Sequence, residues 1–245
     1  MMEPLMVVEI QARSLQGRTR PFQCRGADGH LYFVKGRDAG QRSLICEWLG
    51  GHLAKAFGLP IPDFLIARAP RELLALHPEG QYLGDLPLFA SRKIEQAQEF
   101  NLAQLPEVPN RLQRDVLMFD WWIHNADRTL SIRSGNPNLL WNVPSSALAV
   151  IDQNLAFERD FDDVTFCETH VFSGQIVPLG QDMFEPDRYR DKFARALEVW
   201  DEACKNVPPE WWFVDEEQTV STDFDPDETF TLLSRYANTD FWRLI

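Results

Sequence analysis

The chain has 245 residues, 44% hydrophobic and 25% charged, enough to bury a sizeable core and too apolar for disorder over most of its length. Its formal net charge of −13 argues against a nucleic-acid binder, which must cluster Lys and Arg against phosphates, and against stable docking on an anionic membrane. Four widely spaced cysteines form no CxxC pair, the N-terminal "MMEPLMVVEI" has no basic segment of a signal peptide, and no apolar run would span a bilayer, so a cytoplasmic protein with reduced thiols is expected.

In chain order, "LMVVEIQARS" and "PFQCRG" read as strands, and "ADG" as a turn into a third, "HLYFVKG". Leu44, Ile45, Trp48, Leu49, Leu53, Ala56 and Phe57 then recur at helical spacing, with Gly58, Pro60 and Pro62 ending the helix. The segments "DFLIARA", "ELLALH" and "LPLFASRKI" are expected to be strands. "VPNRLQRDVLMFDWWIHN" is expected to be a helix, apolar near its end, followed by loop, strand, loop and strand through about residue 157. Beyond Asp160 the chain turns acidic and helical. "DRYRDKFARALEVWDEACKNV" reads as one helix stopped by Pro208 and Pro209. "DPDETFTLLSRYA" begins another, with Asp225 as N-cap, Pro226 at the first position and Glu228 completing a capping box. The expectation is an α+β fold of two lobes, a β-rich N-lobe over 1–98 and a helical C-lobe over 99–245, with a cleft between them.

The polar residues that stand out are few. Only five lysines occur, and Lys35 ends the strand-like "LYFVK". Glu47 is the acid of the next helix. A strand Lys held by a helix Glu is how kinases place the α- and β-phosphates of ATP; a surface Lys beside an unrelated Glu is the alternative. Asp127, in the loop "HNADR" after an apolar helix, suits the acceptor of a hydroxyl proton in phosphoryl transfer, or else caps a turn or pairs with Arg128. Asn138 in "NPNLL" and Asp152 after "ALAVI" offer hard oxygens next to strands, suited to Mg²⁺ completed by nucleotide phosphates; ordinary turn chemistry is the alternative for each. His124 is expected to cap the loop through a backbone hydrogen bond. Trp121 and Trp122 are expected in the core, and the other histidines lack metal spacing.

The ordered set "YFVKG…CEWLGGHLAKAFGLPIPDFLIA…FDWWIHNADR…NPNLL…LAVIDQNLAF" resembles HipA-like kinases and, in its loop motif, type II phosphatidylinositol 4-kinases. The resemblance covers roughly residues 5 to 160. It implies a protein-kinase-like fold, ATP and Mg²⁺, Asp127 as catalytic base, and Asn138 and Asp152 as metal ligands. It further implies that Lys35 contacts phosphate with Glu47 as its partner, and that Asn125 and Arg128 shape the catalytic loop, Arg128 at the nucleotide. Three features depart from the pattern. "TLSIRSG" must bulge before Asn138 returns, "IDQN" replaces D-F-G, and "SLQGRTRPF" has only Gly17 where a glycine-rich loop would lie, leaving Arg18 or Arg20 as phosphate contacts. The expected activity is transfer of a γ-phosphoryl group to a protein Ser or Thr. A phosphatidylinositol-type lipid kinase and an inactive pseudokinase acting as a binding module are the alternatives. The substrate is expected to be a protein, and no regulatory partner can be read from the residues.

Overall fold

The computed structural model describes residues 3–14, 20–131, 135–215 and 217–244. The strands are β1 (Leu5–Arg13), β2 (Phe22–Gly26), β3 (Leu31–Lys35), β4 (Phe64–Arg68), β5 (Leu88–Arg92), β6 (Ala97–Glu99), β7 (Leu139–Asn142) and β8 (Ala147–Val150). The helices are α1 (Gln41–Phe57), α2 (Arg71–Leu76), α3 (Gly80–Leu83), α4 (Asn110–Trp122), α5 (Asp163–Thr169), α6 (Ile176–Gly180), α7 (Glu185–Leu197), α8 (Trp200–Lys205) and α9 (Pro226–Ser234). Two compact units result: Met1–Trp48, Pro62–Ile94 and Lys205–Phe224 form the first, and Leu49–Ile61, Glu95–Cys204 and Asp225–Ile245 the second. Among the described residues no helix is long and apolar enough to cross a membrane.

In the first unit the strands close into a barrel in the order β1-β2-β3-β5-β4. β1 meets β4 in parallel through Leu5↔Ala67 and Met6↔Arg68, and the other pairs are antiparallel. Alternate residues turn inward as the pleat requires, so Phe22 and Cys24 of β2 join Tyr32 and Val34 of β3 in the core. The expected turn between β2 and β3 forms around Gly29 (φ 84°), and the Asp28 carboxylate accepts from the His30 N–H and the Tyr32 hydroxyl. One expected strand is corrected: "ELLALH" is helical, as α2. Its residues include no β-branched side chain, and a helical turn sets Leu73 and Leu74 against the barrel core while Leu76 stays exposed.

Helix α1 runs where the spacing placed it and ends in a Schellman motif. The Leu59 N–H bonds to the Ala54 carbonyl, the Gly58 N–H reaches the Lys55 carbonyl, and Gly58 takes the left-handed conformation (φ 92°). In the second unit β6, β7 and β8 form an antiparallel sheet. The apolar end of α4 is buried from Val116 to Trp122, with Phe119 and Trp122 against Phe57, as expected for Trp121 and Trp122.

The single helix expected over 187–207 is instead α7 and α8. At the break the Glu198 N–H bonds back only three residues, to Arg195, which tightens the turn and brings Trp200 edge-on to Phe157. Asp225 caps α9 by accepting from the Asp227 and Glu228 N–H groups. The expected reciprocal half of that box is replaced: the Glu228 carboxylate pairs with Arg159 at 2.9 Å.

Candidate active site

Lys35 is the last residue of β3 and Glu47 lies in the first half of α1, both in the first unit. Both side chains are buried, and the Lys35 ammonium forms an ion pair with Glu47 Oε1, the partnership expected from the sequence. Removing either partner of a buried pair of this kind would leave a charge in low dielectric, so each side chain holds the other in place. Gly36 follows directly: a Cβ there would stand 2.0 Å from the Leu83 carbonyl oxygen, so only glycine lets the chain leave β3 by this route.

In the second unit the loop carrying Asp127 leaves the C-terminus of α4. His124 takes a left-handed turn (φ 50°), and its Nδ1 lies 3.1 Å from the Glu158 carbonyl, the backbone contact expected of it. The ring stacks on Phe161 at 4.2 Å, and burial, aided by the Arg235 charge, holds its pKa down to about 4. The Asn125 amide donates to Asp120 Oδ1 at 3.2 Å, and its Oδ1 accepts from the Asp127 N–H at 3.3 Å. Thr129 then bonds through its N–H to the Asn136 carbonyl at 3.1 Å, so the segment after Asp127 does come back. Gly135 (φ 151°) permits that closure, since a Cβ would lie 2.6 Å from the Thr129 carbonyl oxygen. Residues 132–134 of the expected bulge, and Gly17 and Arg18, lie outside the described residues. Arg20 is described, and its guanidinium donates to the Ser14 carbonyl at 3.3 Å.

Asn138 and Asp152 come to the same end of the β7–β8 hairpin. The register pairs Leu139 with Val150, and the Ile151 N–H bonds to the Asn138 carbonyl at 3.0 Å. Both residues are left-handed (φ 48° and 60°), a conformation that short polar side chains tolerate. The Asn138 Nδ2 donates to Asp127 Oδ2 at 2.8 Å. Since a carboxylate only accepts, this fixes the amide orientation and leaves Oδ1 as the Asn138 acceptor. One amide oxygen and one carboxylate at one hairpin end form a hard-oxygen donor set of the kind Mg²⁺ takes when other ligands are supplied from outside. Among the described residues no group of three or more His, Cys, Asp or Glu could hold a metal by itself.

Arg128, expected to shape the loop and to stand at the nucleotide, has a fully buried side chain whose donors are engaged within the protein. Nε donates to Asp120 Oδ2 at 2.6 Å and Nη2 to Oδ1 at 3.3 Å. Nη1 reaches the carbonyls of Asn138 at 2.6 Å, Pro137 at 3.2 Å and Ile151 at 3.2 Å. One guanidinium thus ties the loop to both strands of the hairpin at the end where Asn138 and Asp152 sit. Asp120 completes the cluster by accepting from His170 Nε2 at 3.0 Å. His170 Nδ1 accepts from the Phe172 N–H, which sets the neutral tautomer. Burial pushes the Asp120 carboxyl up, but the Arg128 charge and the His170 hydrogen bond outweigh it, and the net shift is downward. Burial holds His170 below its ordinary range despite Asp120.

Asp120 and His170 were not identified from the sequence. The available signal was an acid inside the apolar run "LMFDWWI", which needs a cationic partner if buried. Gly50 was also missed: a Cβ there would stand 2.8 Å from the Gln153 Cβ, so this glycine lets α1 lie against the residue after Asp152.

The family described as HipA-like kinase matches residues 7–245. Among solved structures, the proinflammatory kinase CtkA of Helicobacter pylori is similar at 12% identity and a TM-score of 0.48, over 96% of this chain and 94% of that one. The FAT and kinase domain of CtTel1 is similar at 14% identity and a TM-score of 0.24, over 96% of this chain and 23% of that one. No curated protein matches significantly. The two structural likenesses are too distant to bear on chemistry.

Proposed function

This chain belongs to the HipA-like kinase family, and from that premise we propose that it transfers the γ-phosphoryl group of ATP, with Mg²⁺, to a Ser or Thr hydroxyl of a protein. The observation that carries the proposal is the Asn138–Asp127 hydrogen bond at 2.8 Å, made at the hairpin end that also bears Asp152. It joins the candidate base to a candidate metal ligand through the two ends of one amide.

In this reading the acceptor oxygen attacks the γ-phosphorus, and the bond to the β–γ bridging oxygen breaks. ADP departs with that electron pair, and the hydroxyl proton passes to the Asp127 carboxylate. The Asn138 hydrogen bond orients that carboxylate. Lys35, steadied by Glu47, donates to the α- and β-phosphates. Asn138 Oδ1 and Asp152 would hold Mg²⁺, which would neutralise phosphate charge there. Arg128 touches no reactant and acts by fixing loop and hairpin together. The acceptor is a protein met in the cytoplasm, and the net charge of −13 disfavours nucleic acid or an anionic membrane as partner.

A thermal-shift titration with ATP, with and without Mg²⁺, tests the nucleotide part of the reading. Ligand at 100 times its Kd adds about 2.7 kcal/mol, or about 5 to 10 °C for a chain of this size. A shift that needs Mg²⁺ and is lost in Asp152→Ala is expected. No shift at millimolar ATP would remove nucleotide from the account.

A further inference from the structure

The last carbonyls of a helix have no partner within it, and at α4 those carbonyls lie just before the loop that bears Asp127. The Ile123 N–H goes back to Phe119 and the Asn125 N–H to Asp120. The carbonyls of Trp121 and Trp122 are met instead by a side chain far along the sequence. The Arg235 guanidinium donates through Nη2 to the Trp121 carbonyl and through Nη1 to the Trp122 carbonyl at 2.6 Å. The same Nη1 reaches the Leu232 carbonyl in the last turn of α9 at 3.2 Å, so one cation serves the negative ends of two helices.

The tie is reciprocal. Trp121 Nε1 donates to the Phe241 carbonyl at 3.0 Å and Trp122 Nε1 to the Leu233 carbonyl at 2.7 Å. The guanidinium carbon also stands 4.9 Å from the centre of the Phe241 ring. Burial lowers the Arg235 pKa to about 9, which leaves it charged at neutral pH.

Between this tie and Asp127 the chain passes through the left-handed turn at His124, a conformation that persists only where its surroundings over-determine it. Asn125 and Arg128 fix the far side of the loop through Asp120. On the near side the Phe157 N–H bonds to the Ile123 carbonyl at 2.7 Å and the Glu158 N–H to the His124 carbonyl at 3.3 Å, while Arg235 holds the two carbonyls before them at the α4 terminus.

We infer that Arg235 is a positioning residue for phosphoryl transfer: it clamps the C-terminus of α4 and so sets the loop from His124 to Arg128 that presents Asp127. Its effect on turnover rests on the kinase reading above, whereas its effect on the loop does not.

The test is amide hydrogen exchange over 123–128 in Arg235→Ala and Arg235→Lys, with β7 and β8 as internal reference, alongside steady-state kinetics. The two charge-assisted hydrogen bonds to α4 are lost, so exchange in the loop should rise about tenfold or more while β7 and β8 keep their rates. Turnover should fall by about tenfold or more with KM for ATP within about twofold, since loop position and not nucleotide contact has changed. Methylguanidinium should restore part of both in Arg235→Ala. If the Ala variant does not fold, the Lys variant, which keeps the charge without the fork, gives the same reading. Unchanged loop exchange, a rise shared equally by β7 and β8, or a loosened loop with unaltered turnover would each overturn the inference. A wild-type protein without turnover would sink the kinase reading, and loop exchange would still decide for or against Arg235.

Discussion

Replacing Arg128 by Met keeps much of the buried volume and removes one charge. It strips the Asp120 carboxylate of contacts at 2.6 and 3.3 Å, and three carbonyls of one donor each. Breaking one side of a buried ion pair costs about 3 to 5 kcal/mol, because the remaining charge stays desolvated. For a chain of this length that corresponds to a fall of about 6 to 20 °C in Tm.

The pH dependence adds a second signature. In the wild type the Asp120 carboxyl is net lowered, so its stabilisation is present above the unfolded value of about 3.9 and is lost as pH falls through the folded value below it. In the variant burial is no longer opposed by the Arg128 charge, so the folded value rises relative to that of the wild type. The variant therefore gains stability relative to wild type as pH falls towards about 4, and the gap between them, widest near neutrality, narrows in acid. Urea unfolding of both proteins across this range measures the gap. A difference under about 1 kcal/mol at neutral pH, the worth of an exposed pair, or a gap indifferent to pH, would refute the assignment of this cluster as a buried electrostatic tie.

Asp127→Asn should abolish transfer with nucleotide affinity changed by less than about twofold, read by kinetics and calorimetry; equal turnover would remove Asp127 from the chemistry. His124, held to about 4 by burial, should contribute about 3 kcal/mol that is present above about pH 6.5 and lost as pH falls towards about 4; His124→Gln should flatten that part of the stability curve, and an unaltered curve would contradict it. Gly50→Ala sets a methyl 2.8 Å from the Gln153 Cβ and should weaken Mg²⁺-dependent nucleotide binding through the neighbouring Asp152, while Ala at the exposed Gly174, where a Cβ meets nothing, should leave it intact.

Much of the first unit could be read from local pattern. Period-2 alternation exposed β2 and β3, period-3.6 spacing exposed α1, and together they implied that Lys35 and Glu47 could meet. The parallel closure of β1 on β4 was not legible, because register across distant strands leaves no mark in either strand alone. The helical reading of α2 was lost to short length, where a few apolar residues fit either period. In the second unit the residue types at Asp127, Asn138 and Asp152 were suggestive, but their convergence depends on the β7–β8 register. The ties of Arg128 and of Arg235 to three carbonyls each are invisible because backbone carbonyls are the same at every position. His170 carries no mark in the sequence since its partner, Asp120, lies 50 residues away in the apolar end of α4.

The most direct measurement is transfer of labelled γ-phosphate from ATP to a mixed Ser/Thr protein and peptide set, with and without Mg²⁺, by the wild type and by Asp127→Asn and Asp152→Ala. Label appearing on Ser or Thr, requiring Mg²⁺ and lost in both variants, is the predicted result. Nucleotide binding without any transfer by the wild type, or transfer that survives in Asp127→Asn, would contradict the account.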